Sequence, residues 1–274
     1  MKRKAAVAGA FYPGSAGELK RQLGGLIDLE ADKISAKAVI SPHAGYIYSG
    51  PVAGAVFSSV VVPDCAVILA PSHRPIRPVF ALMDEGSWET PLGLVPVERD
   101  LAAAIQKAGR FAVVDPSAHE KEHSLEVQLP FLQFLNPRIS IVPIAVSYLA
   151  SYEQLEDLGR AVAAGIRDLN LVGAAGRDVL IVASTDMSHY LSRREAETQD
   201  FIAIRKILAL DPRGLFDVVK AEDISMCGFQ PTAAALVAAK ELGAAKAELV
   251  MYATSGDRTG DDREVVGYAG LRIF

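Results

Sequence analysis

Val67-Ile68-Leu69-Ala70-Pro71-Ser72-His73 is an uncharged, apolar run that reaches a proline and ends on a histidine. A short run of this kind lacks amphipathic spacing and reads as a strand buried on both faces, as in parallel sheets. Two other stretches repeat the syntax: Val39-Ile40-Ser41-Pro42-His43, and Val179-Leu180-Ile181-Val182-Ala183-Ser184-Thr185-Asp186-Met187-Ser188-His189. Helical periodicity occupies Ala16–Ile27, Asp100–Ala108, Glu153–Leu169, Arg193–Ala209, Pro212–Lys220 and Pro231–Leu242, with a further helix capped by Ser49. Strands therefore alternate with helices, which predicts an α/β fold: one domain over residues 1–274, with a central mixed, largely parallel sheet flanked by helices. Ligands of open α/β sheets gather at the carboxyl ends of the strands, so the three histidines are expected to meet in one crevice.

The remaining segments fill in this plan. Ala247–Thr254 and Val265–Ile273 are strands joined by the acidic loop Asp257 to Asp262, too short for a crossover, so they pair antiparallel. That loop reads as a solvated turn and only loosely as a calcium loop. Val79–Val97 has β patterning around Pro91-Leu92-Gly93 and predicts a hairpin acting as a flap or rim. A Gly/Ala loop through Gly173 and Gly176 leads into the Val179 strand.

Composition excludes several functions. The 274 residues are half hydrophobic, enough for a sizeable core, and carry a net charge of −5. With no local cluster of lysine and arginine, neither nucleic acid nor a membrane surface is an expected partner. No apolar stretch approaches the roughly 20 residues that cross a bilayer. Met1-Lys2-Arg3-Lys4 is basic, but the apolar segment after it is short, contains Gly9 and meets Tyr12-Pro13-Gly14 instead of a cleavage signal. The two cysteines, Cys65 and Cys227, suit free thiols and a cytoplasmic location. No glycine-rich phosphate fingerprint supports a nucleotide cofactor.

Chemistry centres on the histidines. His43 and His73 can hold a divalent ion with open positions if the sheet order makes their strands neighbours; otherwise they are unrelated loop residues. Asp186 can fix the tautomer of His189 for acid/base work, though either can itself be a ligand, or Asp186 can cap a turn. Tyr46 and Ser72, flanking the two histidine turns, are candidates for a substrate pocket. His119-Glu120-Lys121-Glu122-His123 matches the zinc-protease pattern, which needs both histidines on one helix. Ser117 and Glu120 have capping-box spacing that puts His119 in a first turn, Pro130 disturbs the helix downstream, and no third ligand is evident. The alternative is that His123, Ser124 and Glu126 support neighbouring loops. Cys227 precedes the helix near Pro231, where a thiol pKa is lowered and a metal would deprotonate it; the other reading is a small buried hydrophobe.

Taken in order, seven segments resemble the MEMO family, also described as protein B of the AmmeMemoRadiSam system: Ala6-Val7-Ala8-Gly9-Ala10-Phe11-Tyr12-Pro13, Pro42-His43-Ala44-Gly45-Tyr46, Ala70-Pro71-Ser72-His73, Glu122-His123-Ser124-Leu125-Glu126, Asp186-Met187-Ser188-His189, Cys227-Gly228 and Thr254-Ser255-Gly256-Asp257. The resemblance implies the fold of class III extradiol ring-cleaving dioxygenases, with a non-haem iron pocket. It implies His43, His73 and Cys227 as metal ligands and His189 in the acid/base position. Those dioxygenases use two histidines and a glutamate, whereas a thiolate shifts preference toward copper or zinc, with iron retained. Implied partners are radical-SAM and AMMECR1-type proteins. The expectation is therefore a metal-binding protein, iron or copper before zinc, with redox or oxygen-dependent activity on a small molecule. The alternative is a non-catalytic module that binds a peptide or small ligand in the same crevice.

Overall fold

Four strands without an exposed residue, Ala38–Ser41, Val179–Ser184, Cys65–Pro71 and Ser140–Val146, run parallel in that order and form the centre of the sheet. Their side chains alternate between two apolar clusters. Ile40, Val67, Leu69, Ile181 and Ala183 face one side, and Val39, Ile68, Leu180 and Val182 the other. Both faces are covered, which is why these runs show no polar alternation. The computed structural model describes residues 1–172 and 178–274.

The flanks of the sheet are antiparallel. Val265–Ile273 pairs antiparallel with Ala38–Ser41, and both Ala247–Thr254 and His189–Leu191 pair antiparallel with Val265–Ile273. On the opposite flank Phe80–Leu82 runs antiparallel to Ser140–Val146 and carries Ala112–Val114 beyond it. The mixed, flanked sheet expected from the sequence is the sheet observed. The Gly/Ala loop through Gly173 and Gly176 lies outside the described residues. Among the described residues, no helix is long and apolar enough to cross a membrane.

Two local expectations are corrected. The hairpin is smaller than predicted, Ser87–Thr90 against Gly93–Pro96, because Phe80–Leu82 joins the main sheet instead. Nor is it a flap: it pairs with Lys2–Arg3, and both Trp88 and Val95 are fully buried. Gly86 makes this docking possible, since it holds φ +98° and a Cβ there would lie 2.1 Å from the Met1 carbonyl oxygen. Ser49 does not cap the second helix, which begins at Tyr46; its hydroxyl donates to the Ala44 carbonyl from within the first turn.

Candidate functional site

The strands leading to His43 and His73 are not neighbours, contrary to the condition placed on them, because Val179–Ser184 lies between. That strand ends on the small residues Ala183 and Ser184, and the two imidazoles still come together above it, 5.3 Å between ring centroids and nearly perpendicular. A third ring joins them. His123 stacks on His73 at 4.4 Å and stands 5.5 Å from His43. One ligand atom from each of His43, His73 and His123 lies within 4.8 Å of the others, a spacing that can hold a metal ion.

Hydrogen bonding decides which nitrogen of His43 is free. Ser184 Oγ donates its proton to the Ser124 carbonyl at 2.7 Å and receives Gln128 Nε2 at 2.8 Å. It must therefore accept at 2.9 Å from His43 Nδ1, which carries the proton and leaves the lone pair on Nε2. His73 is held by a carboxylate: Glu122 Oε1 lies 2.9 Å from its Nδ1, and Oε2 accepts its backbone N–H. Ser124 ties this loop to the sheet by donating to the Pro71 carbonyl.

Burial drives His43 down to about 3, assisted by the charge of His73. Burial and then the charge of His43 take His123 to about 4. For His73 burial works downward, but the hydrogen bond and charge of Glu122 prevail and hold its pKa above the ordinary value. Burial would raise Glu122; its bond to His73 and the backbone N–H groups of Ser124 and His73 keep it well below the ordinary value, so it is a carboxylate. His43 and His123 are thus neutral near pH 7, as metal ligation requires. Because the unfolded chain protonates these histidines near 6.5 and the folded chain resists, their contribution to stability is complete above 6.5 and declines as pH falls toward 4. Urea midpoints measured across that window should fall with pH; a flat profile would contradict the buried neutral assignment.

The other predicted residues divide. Cys227 Sγ lies 3.3 Å from His43 Nε2 and receives the Asp186 backbone N–H at 3.2 Å. Gly228 permits this approach, since a Cβ there would be 2.5 Å from the Ser184 carbonyl. The expected lowering of the thiol pKa is not observed: burial, then the charge of Asp186, pushes it up. Asp186 does not orient the His189 ring. Its Oδ1 accepts the His43 backbone N–H, so it shapes the turn after Pro42. His189 is oriented by Ser225, whose hydroxyl receives its backbone N–H and whose carbonyl lies 3.0 Å from Nδ1. A carbonyl only accepts, so the free lone pair is on Nε2.

Tyr46 presents no phenol to the crevice, being 1% exposed with its hydroxyl donating to the Val127 carbonyl. Ser72 spends its proton on the Arg74 carbonyl and shapes the turn before His73. The protease pattern fails on geometry. Pro116–His119 is a single 3-10 turn capped by Asp115, and the chain leaves helical form before His123. His119 packs edge-on against Trp88, outside the three-histidine group. The acidic loop is occupied by Arg193, which pairs with Asp257 and Asp262, both at 2.7 Å.

Sequence reasoning underrates His123, whose signal is present in the literal histidine pair but points to a helix that does not form. It also misses Arg3, the partner of Glu126, whose carboxylate has the loop-supporting role of the alternative reading. The buried Glu126 carboxylate accepts from Arg3 Nη1, from the backbone N–H groups of Ala6 and Val7, and from the Tyr12 hydroxyl. Arg3 donates further to the carbonyls of His119 and Glu122. The amino-terminal segment so anchored brings the Phe11 ring to 4.8 Å from His123.

An α/β protein that gathers imidazoles at the carboxyl ends of its parallel strands is the class that fold and site define together. The chain belongs to the Memo-like protein family, whose model matches residues 3–272. It is 40% identical to the MEMO1 family protein MTH_45 of Methanothermobacter thermautotrophicus, over 99% of this chain and all of that one. A MEMO1 family protein of Pyrobaculum arsenaticum is 42% identical over 98% of both chains. The crystal structure of the uncharacterized protein JW3007 from Escherichia coli K12 superimposes with a TM-score of 0.54, covering 85% of this chain and 98% of that chain at 14% identity, a likeness of fold.

Proposed function

We propose that the crevice is a non-haem transition-metal centre that serves an oxygen-dependent or other redox reaction on a small organic molecule. The observation that carries this reading is the convergence of His43, His73 and His123. Neutral imidazoles suit iron, copper and zinc, and the nearby Cys227 thiol adds a softer donor that suits copper. When bound, iron or copper supplies one-electron chemistry and open positions for exogenous ligands. The remaining work falls to the chain. His43 and His73 present lone pairs from turns fixed by Asp186, Ser184 and Glu122. His189 keeps Nε2 free to take a proton, such as the phenolic proton of a catechol, while Ser225 holds the ring by its other nitrogen.

The test is anaerobic loading with iron or copper, followed by oxygen uptake against a panel of catechols. His189→Ala is expected to lower the rate about 10²–10⁴-fold, the usual worth of a positioned acid/base, while leaving metal content unchanged. Uptake that persists at full rate in the variant removes the acid/base role. No uptake with any catechol, together with measurable peptide affinity, favours the binding-module reading.

A further inference from the structure

Glu122 stands between two of the three imidazoles. The same atom, Oε1, is 2.9 Å from His73 Nδ1 and 3.5 Å from His123 Nδ1. The two rings are stacked, 26° from parallel; only His73 is hydrogen-bonded to Oε1, while at His123 the carboxylate charge 3.5 Å away disfavours a lone pair on Nδ1 and so favours the proton there. The carboxylate is itself immobile. Its side chain is 1% exposed, Oε1 also accepts the Ser124 N–H at 2.9 Å, and Oε2 accepts the His73 N–H at 2.7 Å. Its backbone carbonyl receives Arg3 Nη2 at 2.6 Å, which stops the loop from withdrawing. An ionised carboxylate has no proton to donate, so any hydrogen between Oε1 and either ring belongs to the ring.

We propose that Glu122 is a positioning residue for the metal centre: one buried oxygen selects the Nδ1–H tautomer of His73 and of His123 together and leaves both Nε2 atoms free to bind one cation. A histidine that donates its second ring nitrogen to a carboxylate has a fixed tautomer and a more basic ligating nitrogen. Usually one carboxylate serves one such ring. Here a single group serves two, so its loss disturbs two donors at once. The inference rests on the metal reading only for its effect on affinity, because the tautomers belong to the metal-free protein.

Two measurements test it. In the metal-free protein, at a pH high enough that both rings are neutral, nitrogen-15 NMR of the imidazoles should show the proton on Nδ1 in both His73 and His123; a neutral ring of either residue with its proton on Nε2 overturns the proposal. In the second, Co(II) is titrated in competition with a chelator. Glu122→Gln keeps the side-chain volume but removes the charge facing both rings and sets a donor amide either against the His73 backbone N–H or, if the amide turns over, against the ring nitrogens and the Ser124 N–H. Affinity for Co(II) is expected to fall about 10- to 100-fold, the range typical of such outer partners, and more than in Ser184→Ala, which affects one ring only. Affinity unchanged in a folded Glu122→Gln protein also overturns the proposal. Should the variant not fold, the NMR result on the unaltered chain decides. Should the unaltered chain bind no Co(II), the metal reading fails while the tautomer assignment is judged on its own.

Discussion

His43→Ala is expected to reduce bound iron or copper from about one ion per chain to a trace, and His73→Ala to do the same. The magnitude comes from what each substitution removes. Both delete a nitrogen donor outright, so the loss should exceed the roughly 10–100-fold that loss of an outer hydrogen-bond partner costs. His43 is the more severe case, since its ring is buried and central: it lies within 5.5 Å of both other imidazoles and 3.3 Å from Cys227 Sγ. Elemental analysis after anaerobic loading and gel filtration checks this. Equal metal content in both variants and the unaltered chain would remove the centre as described. His119→Ala serves as the control, because that ring lies against Trp88 and should leave the metal in place.

Arg3→Met should cost about 3–5 kcal/mol of folding stability, the largest loss expected from any single polar change, because it leaves Glu126 as a buried charge without its counter-ion. Arg3 is 2% exposed and Glu126 fully buried, so water cannot compensate. The reverse change, Glu126→Gln, should be comparably costly. Its amide cannot accept from Arg3, Ala6, Val7 and Tyr12 together, and it brings two donors of its own. Lys2→Ala provides the contrast: the Lys2–Glu89 pair is exposed, and such pairs are worth about 0–1 kcal/mol. Urea denaturation with fluorescence from the buried Trp88, over which the Arg3 guanidinium sits at 4.1 Å, reports all three. A loss below about 1 kcal/mol for Arg3→Met would mean that the carboxylate finds other compensation.

The sheet was legible in the sequence because its central strands are buried on both faces, which leaves uninterrupted apolar runs. Their endings were legible too, since proline and small polar residues before His43 and His73 break the ladder where ligands collect. Strand order was not, because nothing in Val39–Ser41 or Val67–Pro71 says that Val179–Ser184 comes between them. The His119/His123 pair misleads for a definable reason: a spacing of four indicates one face only if the backbone is helical, and this stretch is a 3-10 turn and then loop. The Arg3–Glu126 pair spans 123 positions and has no periodic signature. Asp186 lies near His189 in sequence, yet its carboxylate serves the turn of His43, 143 positions away.

Two of the three imidazoles ride on turns that continue rigid strands, while His123 rides on a loop held by side chains from Arg3, Glu122 and Glu126. Such a loop opens at lower free energy than a central strand. Exchange of an ion with its surroundings would then proceed by release of the His123 side first, with the strand-borne pair keeping its grip. Amide hydrogen exchange should accordingly be faster at Ser124 than at Ile68 or Ile181, and slow markedly at Ser124 alone once an ion is bound.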